Sequence, residues 1–481
     1  MSRTRSPLQV AGWRPDPGSS KPLYRQVYER FRDAIRNGIL RPGERLPSAR
    51  SLASQLGAAR GTVDLAYTLL SSEGYIVGRG AAGTFVAQGL TAAIRRPPNR
   101  SQGASSTGAI ARPGTPRLVI PPFAMGVPAL DAFPRALWGR LSARRARTLA
   151  VETMIGDGAA GYTPLRDAIV SYLTVSRGIR CHAGQVIITT GFQGALDLLT
   201  RTFLQQDDEI WFEDPGYFAA RDALQAAGAR IIPTPVDSEG LDVAEAINRA
   251  PHARFAYVTP AHQAPLGISL TLPRRLALLS WAARSKAWII EDDYDSEYRY
   301  GSRPLPALKS LDEGGRVLYV GTFSKVLFPG LRLGYLVVPD TEVDRVKQVR
   351  QVLYRGAPIL MQTVVADFMS EGHFARHIKR MRTLYEERRA SLARALAEVF
   401  AGQLTVQLQA GGMHLIGRMQ PPKEDRDLVA RAKAHGLAPS TLSEWYARPG
   451  RSDQGILLSF TNITPQSALE VVRRLQRAWS G

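Results

Sequence analysis

The residues of this chain that can do chemistry gather around one lysine. Lysine is scarce here, with 8 among the 62 basic residues and arginine making up the rest. Lys325 stands in "GTFSKVLFPGLRLGY", directly after the apolar run "RVLYVG", where a strand should end. An amine held there can add to a carbonyl. The plain alternative is a strand-end lysine with no chemical role, and its neighbours decide between the two. Thr322 and Ser324 set hydroxyls beside it, and Arg332 follows. Asp292 closes a second apolar run, "WIIEDD", with Tyr294 just beyond. "TTGFQGAL" puts Gly191, Phe192 and Gln193 at the expected start of a helix, where free backbone N–H groups attract anions. Tyr217, in "EDPGY", offers a flat aromatic face.

One carbonyl cofactor, pyridoxal 5'-phosphate, asks for this set of groups. Its aldehyde needs an amine, which Lys325 supplies as a Schiff base. Its pyridine nitrogen needs a carboxylate, here Asp292, to stay protonated as an electron sink. Its phenolic oxygen takes a donor, Tyr294. Its phosphate takes helix N–H groups, hydroxyls and an arginine: Gly191, Phe192, Gln193, Thr322, Ser324 and Arg332. Its ring takes a flat partner, Tyr217. Each feature is common alone, and the combination in this order is selective.

These residues need strand ends to hold them. "QVIITTG", "DEIWFEDPGY", "ARFAYVTPAH", "AWIIEDDYD", "RVLYVGTFS" and "LGYLVVP" read as strands separated by helical patterns. Continuous apolar runs between helices predict a mostly parallel sheet buried on both faces, an α/β fold. Sites in such sheets gather at the carboxyl ends of strands. Gly191, Tyr217, His262, Asp292, Tyr294 and Lys325 all fall there.

The N-terminal part has a different texture. The net charge is +20, and residues 1–120 carry 18 Arg and Lys against 6 Asp and Glu. A small basic module beside a nearly balanced large one suits a polyanion partner. In "PLYRQVYERFRDAIRNGIL" the apolar stripe Leu23, Val27, Phe31, Ile35 predicts a helix. "LPSARSLASQLG" predicts a second helix, capped by Ser48 and closed by Gly57. "ARGTVDLAYTLLSSEG" predicts a third, with Val63, Ala66, Tyr67 and Leu70 on one face. "YIVGRGAAGTFVA" predicts a hairpin. Three helices and a hairpin make a winged helix-turn-helix. Residues 1–20 are read as a tail, 21–88 as this module, 89–118 as a linker rich in Gly, Pro, Ser and Arg, and 119–481 as the α/β domain.

The segment "LPSARSLASQLGAARGTVDLAYTLLSSEGYIVGRGAAGTFV" resembles the DNA-binding domain of the GntR family of bacterial regulators. By that resemblance the third helix enters the major groove of double-stranded DNA. Arg45, Ser48, Arg50, Arg60 and Thr62 then meet phosphates or base edges, and Arg79 and Gly80 form the wing tip. Ala59 stands where the family usually has a serine, which removes a hydroxyl from the start of the third helix. Residues 120–480 resemble the fold-type-I aminotransferases. "TPAHQAPLG", "IIEDDYDSEYRYG" and "GTFSKVLFPGLRLGY" resemble one subgroup, the MocR/GabR-type regulators, which join the two parts by a linker. The resemblance implies Lys325 as the Schiff-base lysine, Asp292 at the pyridine nitrogen, Tyr294 at the phenolic oxygen and Arg332 at the phosphate. It places His262 and Gln263 near the ring.

Two positions depart from the enzyme pattern. In "GILLSFTN" Leu457 stands where aminotransferases carry an arginine that clamps the substrate α-carboxylate. Ile155 stands where many relatives carry a tyrosine that reaches the partner subunit's phosphate. The expectation is therefore a regulator that senses pyridoxal 5'-phosphate, or an amino compound forming an aldimine with it. The two departures point toward the cofactor as the signal. A homodimer on paired half-sites is expected, and the alternative is an aminotransferase with turnover.

Other features point elsewhere. His373 and His377 have a metal-like spacing with no third ligand near, so no metal is expected. Cys181 and His182 are sequence neighbours with no orienting group, which makes a poor nucleophile pair. A single cysteine, no uninterrupted apolar run of membrane length and no signal-peptide core suit the cytoplasm.

Overall fold

The computed structural model describes residues 13–16, 18–19, 21–88, 120–156, 158–300, 306–353, 356–447 and 453–480. The linker read at 89–118 lies outside these. The chain divides into two compact units, Met1–Thr115 and Pro116–Gly481.

In the first unit, helices α1 (Leu23–Arg36), α2 (Ala49–Leu56) and α3 (Arg60–Ser72) precede strands β1 (Ile76–Gly78) and β2 (Thr84–Val86). The apolar stripes explain their packing. Val27, Phe31 and Ile35 of α1 meet Val63, Ala66, Tyr67 and Leu70 of α3 in one buried core. The Ser48 hydroxyl accepts the Ser51 N–H at 3.1 Å, which caps α2, and Gly57 closes it with a left-handed φ of 64°. Ala59 precedes α3 with no side-chain cap. The β1–β2 pair is antiparallel, the hairpin expected of a wing.

The second unit is built on a sheet. Its strands are β3 (Val186–Thr189), β4 (Glu209–Asp214), β5 (Arg230–Asp237), β6 (Gly240–Leu241), β7 (Phe255–Val258), β8 (Trp288–Asp293), β9 (Val317–Thr322) and β10 (Gly334–Val337). Their order is β3-β10-β9-β8-β7-β4-β5-β6. Successive side chains of a strand point to opposite faces, and here both faces are buried. Ile187, Ile210, Phe212, Phe255, Tyr257, Ile290 and Leu318 feed one core. Trp211, Ala256, Val258 and Ile289 feed the opposite face. That explains runs too apolar to alternate.

Two features go beyond the sequence reading. Strand β10 is antiparallel to both neighbours, β3 and β9. A separate antiparallel sheet, β11 (Leu404–Gln407), β12 (His414–Met419), β13 (Ser440–Thr441) and β14 (Ile456–Ser459), has the order β11-β12-β14-β13. It shares a core with the long helix His373–Phe400 and the last helix, Ala468–Ser480. Among the described residues no helix is long and apolar enough to cross a membrane.

Candidate cofactor site and DNA-binding surface

The parallel strands β3, β4, β8 and β9 all end at one rim of the large sheet. The antiparallel β10 starts at that rim, because Gly334 pairs with both Thr189 and Thr322. Its reversed direction is what brings Arg332, just before it, beside residues that follow other strands. The backbones crowd there. A Cβ on Gly334 would lie 3.0 Å from the Gly191 carbonyl carbon and 2.9 Å from the Gly321 oxygen. Gly191 itself has a φ of 75°, which favours glycine.

A cavity of about 380 Å³ opens at this rim. Gly191, Phe192, Gln193, Tyr217, Asp292, Tyr294, Thr322, Ser324, Lys325 and Arg332 all line it. The Lys325 Nζ donates to the Gly126 carbonyl oxygen at 3.0 Å. Lysine is open to the cavity on one side, yet protein surrounds its amine. Burial pulls its pKa down, against the opposing charges of Asp295 and Asp292. Asp292 is buried, and burial pushes its carboxyl up to about 7. The Tyr257 hydroxyl donates to its Oδ2 at 2.5 Å and works against that rise. The Tyr294 hydroxyl donates to the His262 carbonyl at 3.0 Å. The Tyr217 ring lies 5.8 Å from Phe192 and 5.9 Å from Trp445.

Sequence reasoning missed several groups on or beside this wall. Tyr257 reaches Asp292 only because β7 pairs in parallel with β8, a register not written in either segment. Gly126, Asp295, His414, Ser440 and Trp445 line the cavity from distant loops and from the small sheet. His414 is buried and pulled down to about 4, and its Nε2–H donates to the Pro265 carbonyl at 2.9 Å.

His262 and Gln263 stand back from the cavity. The His262 Nδ1 faces the Tyr294 hydroxyl at 3.0 Å and the Asp295 carboxylate at 3.1 Å. The Gln263 amide is engaged by the Glu213 carboxylate and the Pro215 and Ala264 carbonyls. Leu457 is fully buried in β14, packed in one cluster with Ala264, Ile416, Leu442 and Trp445. Ile155 ends the short helix Val151–Ile155 with 87% of its surface exposed.

The two histidines of the metal-like spacing do not share a site. His377 is buried with its Nε2 against the Val326 carbonyl at 2.9 Å, while His373 faces Glu371. His182 bonds Asp340 at 2.7 Å, and burial pushes the Cys181 thiol up.

On the first unit, Arg45, Ser48, Arg50, Arg60, Arg79 and Gly80 are exposed and Thr62 is half-buried. The Arg45 guanidinium lies under the wing, where a Cβ on Gly83 would fall 2.9 Å from its Nε. Arg79 sits 5.1 Å over the Phe85 ring. Arg60 lies 3.3 Å from Asp64, one turn on. Arg45, Arg50 and Arg79 have no carboxylate partner among the described residues.

The comparisons agree with the two-part fold. The family model for bacterial regulatory proteins of the gntR family matches residues 23–86, and that for aminotransferase class I and II matches 154–451. A probable rhizopine catabolism regulatory protein, MocR, from Rhizobium meliloti is 38% identical over 96% of this chain and 95% of its own. The chain is a MocR-type transcriptional regulator. The HTH-type pyridoxine biosynthesis regulator PdxR of Corynebacterium glutamicum is 34% identical over 90% of this chain and 91% of its own. Among solved structures, the α-aminoadipate aminotransferase LysN of Thermus thermophilus matches with a TM-score of 0.67 and 30% identity. It covers 75% of this chain and 92% of its own. In this MocR-type regulator, as in that aminotransferase class, the large unit binds pyridoxal 5'-phosphate. The cavity's groups fit that cofactor. The Arg332 guanidinium has no protein partner among the described residues, and the helix starting at Gly191 has no side-chain cap. One rim thus offers an unpartnered cation and free N–H groups to a phosphate, with a buried carboxyl and an amine on the same wall.

Proposed function

We propose that this regulator senses pyridoxal 5'-phosphate, or an amino compound that joins it, at Lys325 and passes the signal to its DNA-binding unit. The observation that carries the reading is one cavity lined by an amine, a buried carboxyl and an unpartnered arginine in a chain that also carries a winged helix-turn-helix. Bound there, the cofactor supplies an aldehyde carbon open to amines and an electron-accepting ring.

The chain's own residues do the rest. Lys325 would hold the aldehyde end, and burial, which lowers its pKa, favours the neutral, nucleophilic form of the amine. Asp292 holds the ring nitrogen, with Tyr257 fixing the carboxyl's orientation. Tyr294 faces the phenolic oxygen and Tyr217 the ring. Arg332, Thr322, Ser324 and the helix start at Gly191, Phe192 and Gln193 take the phosphate. On the first unit, Arg45, Ser48, Arg50, Arg60, Thr62, Arg79 and Gly80 face DNA. Ser48 presents its exposed edge while its hydroxyl caps α2. We take 21–88 as the DNA-binding domain, 89–118 as a linker and 119–481 as the sensor.

A two-fold homodimer in the cytoplasm, bound to paired half-sites, suits this architecture. Sustained aminotransferase turnover is disfavoured. Among the described lining residues the cations are Lys325 and Arg332, and both serve the cofactor. Among the described residues no bidentate clamp is left for a substrate α-carboxylate. The test is a steady-state assay with an amine donor and a keto-acid acceptor. A single stoichiometric half-reaction at most is expected, and multiple turnovers would overturn the sensor reading in favour of an enzyme.

A further inference from the structure

Once Lys325, Asp292 and Arg332 are committed to the cofactor, the charged side chain left among the described lining residues is Asp295. It is a buried carboxylate, 2% exposed, that faces the His262 Nδ1 at 3.1 Å. The other ionisable group on the wall, His414, is neutral near pH 7 because burial holds it down to about 4. The remaining surface is apolar or uncharged: Met125, Phe218, Pro265, Met413, Trp445 and the hydroxyl-bearing Ser440. Behind it Leu457 is fully buried, paired in register with Ile416 and Ser440. It packs with Ala264 and Trp445, both of which face the cavity.

A ligand carboxylate entering this space would lose water, find no uncommitted cation among the described lining residues and meet Asp295. Burying an unpaired charge is strongly unfavourable, and a like charge nearby adds to it. An amine with an apolar body meets neither penalty. We infer that the amino compound taken by this cavity is a primary amine without a carboxylate, selected by the apolar Leu457 cluster and by Asp295. This inference rests on the cofactor-bound sensor proposed above.

The test uses the full chain loaded with pyridoxal 5'-phosphate and a matched pair of probes, pentylamine and norleucine. They differ by the α-carboxylate alone. Cofactor uptake is first read from the absorption of the bound cofactor, and Kd for each probe is then measured by titration calorimetry. Pentylamine is expected to bind at least tenfold more tightly than norleucine. Leu457→Arg should raise norleucine affinity tenfold or more. That variant can misfold, so a second matched pair on the parent protein, benzylamine and phenylglycine, gives an independent reading with the same expected order. Equal or tighter binding of the amino acids to the parent would overturn the inference and leave the sensor reading standing, as would failure of both amines to bind. Failure to take up the cofactor at all would overturn both.

Discussion

The two units write their function into sequence differently. In the winged helix-turn-helix the candidate contacts run from Arg45 to Gly80, inside 36 consecutive residues, and all but Thr62 are exposed. In the large unit the cavity wall draws on residues from Met125 to Trp445, and its carboxyl groups Asp292 and Asp295 are buried. A surface that reads a polyanion needs projecting cations on short, locally specified elements. A site that holds a cofactor needs desolvation, and desolvation needs walls from several elements. The pKa values show the contrast. Burial shifts Lys325 down and Asp292 up, while the candidate DNA-contacting arginines stand in solvent.

The sharpest way to break this contrast is Lys325→Ala. It should abolish the absorption of protein-linked cofactor while leaving salt-dependent, non-specific DNA binding intact. Loss of both would mean the units are not separable. The mirror experiment is Arg50→Ala with Arg60→Ala. Specific operator affinity should fall roughly a hundredfold at fixed salt, with cofactor uptake unchanged, as expected when two base- or phosphate-contacting arginines go. Undiminished specific binding would remove those residues from the interface.

Asp292→Asn should weaken cofactor binding by roughly tenfold, the scale of one charge-assisted hydrogen bond. The pH dependence has a definite sign. The Asp292 carboxylate, proposed to pair with the ring nitrogen, is populated above about 7, so uptake by the parent should strengthen as pH rises through that value, and the variant should lose that dependence. In the cofactor-free protein, folding raises this carboxyl from 3.8 to about 7. Its favourable contribution to stability is therefore complete below about 4 and is lost as pH rises through about 7. Thermal midpoints of parent and variant across that window check the slope. The smallest effect concerns the cap. Ser48→Ala should cost about 1 kcal/mol in the first unit alone, read as a lower thermal midpoint for that transition.

Much of this was legible in the sequence, for identifiable reasons. The α1 and α3 stripes and the Ser48 and Gly57 signals give the winged helix because each helix buries one face. The apolar runs ending in Asp292 and Lys325 give the large sheet and its rim, because residues at strand ends converge in a sheet. Three things were out of reach. The reversal of β10, which carries Arg332 to the rim, depends on pairing partners. The Tyr257–Asp292 hydrogen bond depends on parallel register. Gly126, whose Cβ would fall 2.6 Å from the Lys325 Nζ, comes from a segment with no periodic signal. His262 and Gln263 sit in a motif that looked cofactor-facing, but they stand behind the wall, where His262 faces Tyr294 and Asp295 and Gln263 bonds Glu213.

Control of the DNA-binding unit by the Lys325 site is what joins the two halves of the proposed sensor. The direct measurement is affinity of the full chain for the DNA upstream of its own gene, at one fixed salt concentration. It is made without cofactor, with pyridoxal 5'-phosphate, and with the cofactor plus pentylamine. A shift in affinity or footprint is expected in at least one loaded state, present in the parent and lost in Lys325→Ala. Specific binding that is identical in all three states, or a shift that survives Lys325→Ala, would contradict it.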